Sequence, residues 1–246
     1  MFPLYDDVPS RHTPIVTRLL IALNVLVFLT ELTLSEPALH QTFQLMGVVP
    51  LRYADPAWAT DVGFPSTLGL PFLTSQFLHA GWVHLIGNVW TLWVFGDNVE
   101  DRLGRVGFLV FYLGAGFAAG FLHVATSLHS TVPTIGASGA IAGVLGAYLL
   151  FHPKATVVAV VPIVIYPLVL ELPAAVFLVT WFAIQFASGS MALGEAGDAG
   201  GVAWWAHVGG FVAGLVLMPL LALGAPPPGS DWREEAEKLF GPVEKD

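Results

Sequence analysis

Apolar residues run through this chain in long blocks, not in the short alternations of a soluble fold. The blocks cover residues 16–34, 80–96, 106–125, 137–151, 172–187 and 203–222, and the segments between them carry most of the Pro, Gly and charge. Crossing a hydrocarbon core takes ~20 apolar residues, so each block reads as a transmembrane helix. The fold class expected is all-α, a polytopic membrane protein with six transmembrane helices. Its domains are a cytoplasmic leader (1–14), a six-helix transmembrane domain (15–222) and a cytoplasmic C-terminal tail (223–246). Residues 35–78, rich in Pro and aromatics such as Trp58, Phe64 and Phe72, are too apolar for a solvated linker and are expected to lie in the membrane interface. Residues 96–105 read as a short charged turn. Pro162, Pro167 and Pro173 break any helical pattern between 155 and 173, so 155–170 is placed in the interface and 172–187 is taken as the fifth span. Ala225–Gly229 reads as a linker and Asp231–Phe240 as a short amphipathic surface helix.

Composition sharpens this picture. Hydrophobic residues make up 55% and charged residues 11% of the chain, too few charges to solvate a soluble domain of this length. The formal charge of −9 comes largely from loops and the tail, and no basic stripe points to nucleic acid. With no Cys there is no disulfide, thiolate metal site or Cys nucleophile. Pro, Asp and Arg in the first fourteen residues, followed by an overlong apolar run with no small-x-small site, argue against a cleaved signal. With six spans both ends lie on one side. Arg11, Arg18, Arg102, Arg105, Lys154, Arg233, Lys238 and Lys245 then share the cytoplasmic side, and Arg52 alone lies outside, as the positive-inside rule requires.

Ionisable groups inside a membrane are costly and therefore informative. The histidines among them are few here: His84 in the second span, His207 in the sixth, and His79 at the entry to the second. Asn88 follows His84 by one helical turn, on the same face. Ser138 opens the fourth span in the stretch Thr134-Ile-Gly-Ala-Ser-Gly-Ala-Ile-Ala-Gly143. Spans two, four and six all begin on the outer side, so His84, Ser138 and His207 share one depth, roughly 5–10 Å below the outer surface. Ser138, Ala142 and Gly146 form one small-residue face and Gly139, Gly143 and Ala147 a second. Ala206, Gly210 and Gly214 form a matching face beside His207. Helices in contact through such faces would bring Ser138 and His207 within hydrogen-bond reach, where a His can take a Ser proton. His84, Asn88 and backbone N–H groups near Ser138, at Gly136 and Ala137, are candidate donors to an oxyanion. No Asp or Glu in the second, fourth or sixth span is available to orient His207, so the expectation is a dyad.

Three blocks carry a resemblance. Phe77-Leu-His-Ala-Gly-Trp-Val-His-Leu-Ile-Gly-Asn88, Gly136-Ala-Ser-Gly139 and Ala206-His-Val-Gly-Gly210 resemble the signature blocks of the rhomboid intramembrane serine proteases, in order and on alternate spans. Gly96-Asp-Asn-Val-Glu-Asp-Arg-Leu-Gly104 is similar to the family's loop after its second helix. The resemblance covers roughly residues 15–222. It implies Ser138 as nucleophile, His207 as general base, and His84 and Asn88 as oxyanion donors together with nearby backbone. His79 takes a structural role, and Glu100 and Arg102 tie the loop after the second span. It further implies single-span membrane proteins as substrates, cut near the outer ends of their helices, and lateral access past the fifth span, where Trp181 and Phe182 are gate candidates. No cofactor or metal is implied. In one departure, Leu70-Pro71 occupies the place where many members carry an aromatic-polar pair that anchors the first loop. With no organellar presequence evident, the expected location is a plasma (inner) membrane, with the active site opening outward.

Rival chemistries lack their residues. There is no His-Glu-x-x-His for a metalloprotease and no pair of in-span Asp for an aspartyl protease. Ala140 stands where a Gly-x-Ser-x-Gly elbow needs its last glycine. A non-catalytic membrane binder would need neither Ser138 nor His207 in place, and a transporter is expected to show internal repeats that are absent here.

Overall fold

A computed structural model describes residues 1–65, 69–163, 166–192 and 203–224. The expected linker at 225–229, the tail helix at 231–240 and most of the Gly/Ala-rich loop before the last span lie outside the described residues. The described part is mostly helical. Helix α1 spans Ile15–Glu31, and the first loop folds into α2 (Glu36–Met46), α3 (Pro50–Ala54), α4 (Pro56–Asp61) and α5 (Leu70–Thr74). Helix α6 spans Trp82–Thr126, α7 Ser138–Phe151, α8 Ala174–Ala192 and α9 Trp204–Leu221. Among the described residues α6, α8 and α9 are long and apolar enough to cross a membrane, and α7 is a shorter apolar helix.

The outward faces of these helices are apolar. Leu19, Leu23 and Leu26 on α1, Val106, Val110 and Phe121 on α6, Val176 and Val179 on α8, and Val212, Val216 and Leu220 on α9 are all exposed. Polar residues instead point inward and find partners, the arrangement that suits hydrocarbon and not water. Asn24 and Glu31 on α1 are buried, as are Asn88, Asn98 and Glu100 on α6 and Gln185 on α8.

Two expectations about the chain's course are corrected. The charged segment 96–105 is not a loop: helix continues through it, and the reversal between the expected second and third spans is concentrated at Gly104, with φ of 69°. Only glycine adopts that backbone readily. The two arms of α6 then run side by side, so that Gln76, just ahead of the first arm, packs on Gly116 of the second. Glu100 holds this corner to α1. Its carboxylate accepts the Val16 and Thr17 N–H groups, at 3.0 and 2.8 Å, and the Thr17 hydroxyl at 2.8 Å. These are orphan donors of the first turn of α1, whose N-cap Pro14 offers no side-chain cap. Arg102, expected to share this role, lies over the Phe151 ring at 5.2 Å.

The second correction concerns fold class: the chain is not all-α. Phe2–Asp6 (β1), Thr156–Ile163 (β2) and Tyr166–Pro173 (β3) form a three-stranded antiparallel sheet in the order β1-β2-β3. The β-branched run Thr156-Val-Val-Ala-Val-Val161 favours a strand, and prolines that forbid a helix are tolerated in this small hairpin. The residues expected as a leader thus supply an edge strand, and the interfacial stretch is a hairpin. The sheet lies at the end of the bundle away from Ser138. The Trp90 indole N–H donates to the Pro3 carbonyl at 2.8 Å, the Asn98 amide donates to Asp6 at 3.1 Å, and the Tyr148 hydroxyl donates to the same Asp6 carboxylate.

In the absence of the aromatic-polar pair, the first loop is anchored by other means. The Thr74 hydroxyl donates to the Met46 carbonyl at 2.6 Å, the Phe72 ring stacks on Phe117 at 5.4 Å, and Arg52 donates to the Pro65 carbonyl at 2.6 Å while covering Phe64.

The centre of the bundle is the contact of α7 with α9. A Cβ at Gly210 would overlap the Gly139 carbonyl, one at Gly214 the Gly143 carbonyl, and one at Gly146 the Phe211 carbonyl. Gly139 and Gly143 lend their carbonyls to this contact while their own Cβ positions face Ala119 and Ala115 of α6, so the Ala142/Gly146 face of α7 is the one turned to Gly210 and Gly214 of α9. Gly210→Ala is expected to lower stability by roughly 1–3 kcal/mol through forced backbone separation. Gly87→Ala, where a Cβ meets nothing within 4 Å, should be neutral or slightly stabilising. Thermal unfolding in detergent micelles, followed by tryptophan fluorescence, checks both.

Burial pushes the Asp6 carboxyl up to about 6, against the Tyr148 hydroxyl that lowers it and with the Asp7 charge that raises it further. A carboxyl raised on docking stabilises the docked strand below its free value, and that contribution is lost as pH rises through about 6. Hydrogen-exchange protection of β1, corrected for intrinsic rates, is therefore expected to fall between pH 5 and pH 7, and Asp6→Asn should remove that dependence.

Candidate active site

Ser138 is the first residue of α7, and His207 lies one turn into α9. Because α7 and α9 touch backbone to backbone, their side chains at this end are close. The Ser138 Oγ is 2.8 Å from His207 Nε2. His207 Nδ1 is 2.7 Å from Gln185 Oε1, on α8. The imidazole is flanked by Trp181, with ring centroids 5.9 Å apart, and by Trp204 edge-on at 6.4 Å. Phe182, the other gate candidate, packs on Phe211 at 4.7 Å.

Across from this pair stands the first arm of α6. His84 Nε2 lies where a Cβ on Gly136 would be, 2.5 Å from that position, and the Asn88 Nδ2 is 3.6 Å from it. Gly136 has φ of 119°, so both its backbone and its neighbours require glycine. Asn88 is held from behind. The buried His79 donates from Nδ1 to the Phe77 carbonyl at 3.2 Å, which leaves its Nε2 to accept from Asn88 Nδ2 at 3.0 Å. The His79 backbone N–H is fixed in turn on the Glu31 carboxylate, at 3.2 and 3.3 Å to its two oxygens. His79 thus sits behind the site, and one amide hydrogen of Asn88 is left to face the cavity.

One donor expectation is corrected. The Gly136 N–H donates to the Ser75 carbonyl at 2.8 Å and does not face the site. What Gly136 supplies is space for His84. The backbone donors at hand are Ala137 and the first turn of α7, where intrahelical bonding starts only with the Ile141 N–H on the Ala137 carbonyl. Those N–H groups and the positive end of the helix dipole converge beside Ser138.

Ser138, His207, His84 and Asn88 line one cavity of about 1180 Å³, closed on other sides by residues such as Thr134 and Trp204. A hydroxyl facing an imidazole nitrogen can lose its proton to it, and a cluster of N–H donors on the far side can hold a developing anion. Glu100 and Arg102 belong to the opposite end of the bundle. Gln185 was missed in the sequence. Its signal was present: Gln185 is the one amide side chain in the apolar run Ala174–Ala192.

A family model described as Rhomboid domain matches residues 69–223, more than half of the chain, and the chain belongs to the rhomboid family. The presenilin-associated rhomboid-like proteins, mitochondrial, of Rattus norvegicus and Homo sapiens are each 35% identical to it over 132 residues, 52% of this chain and 30% of the relative. The rhomboid protease GluP of Bacillus subtilis is 44% identical over 77 residues, 31% of this chain and 15% of that protein. The chain spans less than a third of the length of these curated relatives. Family membership together with apolar helices of spanning length makes it a membrane protein.

Gly136→Ala is expected to force His84 aside and strain the turn before Ser138. Labelling of Ser138 by a fluorophosphonate probe should fall at least roughly tenfold, by analogy with loss of one oxyanion donor, and the strained turn should lower the unfolding temperature as well.

Proposed function

We propose that this rhomboid-family protein is a serine endopeptidase that works within the bilayer. It cuts single-span membrane proteins near the outer ends of their helices by a Ser138–His207 dyad. The observation that carries this reading is the 2.8 Å contact of Ser138 Oγ with His207 Nε2, at a cavity shared with His84 and Asn88.

In the proposed reaction His207 Nε2 takes the Ser138 proton as Oγ attacks the scissile carbonyl carbon. The carbonyl oxygen becomes an oxyanion held by Asn88 Nδ2–H, His84 and the backbone N–H groups at Ala137 and Ser138. Collapse of the tetrahedral intermediate breaks the C–N bond, and His207 returns its proton to the leaving amine. Water in the cavity then attacks the acyl-enzyme with His207 again as base, releasing the acid and restoring Ser138. Water enters from the end of the bundle where α7 begins. Helix unwinding in the substrate is needed because a helical carbonyl is already hydrogen-bonded and shielded.

The topology we propose counts α1, the two arms of α6, α7, α8 and α9 as six spans. Both termini then lie in the cytoplasm and the cavity opens outward, in keeping with the Lys and Arg distribution. Residues 15–222 form the protease domain, and a plasma (inner) membrane is the proposed site. Substrate reaches Ser138 laterally, past α8, where Trp181 and Phe182 close the seam.

The test is cleavage in proteoliposomes of a panel of single-span substrates with small residues near their outer ends. Ser138→Ala and His207→Ala, each still folded, should lose cleavage by a factor of about 10³ or more. Cleavage that survives Ser138→Ala would remove the mechanism. Failure of the wild type across the panel would favour a non-catalytic client binder.

A further inference from the structure

Gln185 is an amide on the buried face of an otherwise apolar helix, 7% exposed, with its carbonyl oxygen 2.7 Å from His207 Nδ1. Leaving a buried amide oxygen without a donor is unfavourable, so the imidazole hydrogen resides on Nδ1. Nε2 then carries the lone pair and faces the Ser138 hydroxyl. With the hydrogen on Nε2, two acceptors would face each other across 2.7 Å and the Ser138 proton would have nowhere to go. We propose that Gln185 is the positioning residue for His207: it fixes the tautomer and ring orientation in which His207 can accept the Ser138 proton. This inference rests on the serine-protease reading above and deepens it, replacing an unassisted dyad with a dyad held from a third helix.

The position of Gln185 adds a consequence. The described seam between α8 and α9 otherwise consists mainly of ring contacts, among them Trp181 on His207 and Phe211, Phe182 on Phe211 and Phe186 on Trp205, with a further hydrogen bond from the Trp205 indole to the Gly189 carbonyl at 3.1 Å. Ring contacts tolerate sliding, but a 2.7 Å hydrogen bond does not. His207 is therefore in its competent orientation when α8 is seated on α9. Displacement of α8 to admit a substrate helix would release it until the seam closes again.

The experiment compares Gln185→Met with Gln185→Glu in proteoliposomes. Methionine keeps the length and shape and removes the acceptor; glutamate keeps an acceptor. Gln185→Met is expected to lower kcat roughly tenfold, the effect of one net hydrogen bond, with KM unchanged. Gln185→Glu, which keeps an acceptor but adds a charge to bury, is expected to lose less than Gln185→Met. Equal kcat in Gln185→Met and wild type, or equal loss in both variants, would overturn the role. A second readout does not depend on proteolysis. In ¹⁵N-histidine-labelled protein the His207 resonances, assigned by their loss in His207→Asn, should report a single Nδ1–H tautomer. Finding Nε2–H in the wild type overturns the inference. An inactive wild type with the Nδ1–H tautomer would instead sink the protease reading and leave the positioning role standing.

Discussion

The structure depends on two helices touching without side chains between them. Within a bilayer there is little hydrophobic gain in pressing one apolar helix on another, so close packing and polar contacts must hold the bundle. Glycines at 146, 210 and 214 allow the backbones of α7 and α9 to meet, Gly210 and Gly214 lying on the Gly139 and Gly143 carbonyls, and that separation brings Ser138 and His207 within reach. A larger residue anywhere along the seam acts on the site as a wedge, however far it lies from the serine. The second arm of α6 packs on the same helix, with Ala115 and Ala119 against Gly143 and Gly139, so α7 is enclosed and cannot yield sideways.

Polar side chains fix what small residues leave free to slide. At one end Glu100 caps α1 from another helix, Asp101 accepts the Arg11 and His12 N–H groups, and Asp6 gathers Tyr148 and Asn98. At the other, Glu31, His79 and Asn88 form a relay of hydrogen bonds that ends at the cavity. Both ends are tied through α1 and α6, so the frame is stiff where the proposed oxyanion donors sit. The proposed base, in contrast, is steadied through α8, whose contacts with α9 are mainly aromatic.

Most of this was legible in the sequence, and the failures have identifiable causes. Long apolar blocks announced the helices, and equal depth announced the grouping of His84, Ser138 and His207, because helix rise converts position into depth. Charge in the segment 96–105 suggested a loop, yet Glu100 and Asp101 are charged in order to cap and tether another helix. Prolines 162, 167 and 173 were read as helix breakers, correctly, but the alternation that makes a hairpin was hidden in a run apolar on both faces. The Gly136 donor was misassigned because the partner of its N–H, the Ser75 carbonyl, is a backbone group with no sequence signature. Gln185 was overlooked for a different reason. A search for carboxylates to orient a histidine passes over a neutral amide, although an amide is the cheaper group to bury.

That difference in burial cost bears on why an amide stands beside the proposed base. A carboxylate next to His207 would be a second ionisable group at membrane depth, costly unless the imidazole were charged to match it. It would remain unbalanced whenever α8 moved away and left it against lipid. A glutamine offers the same acceptor geometry to Nδ1–H while staying neutral in both positions of the helix. On the lateral-access reading proposed above, a site entered past a helix that leaves and returns is better served by a neutral orienting group than by a charged one.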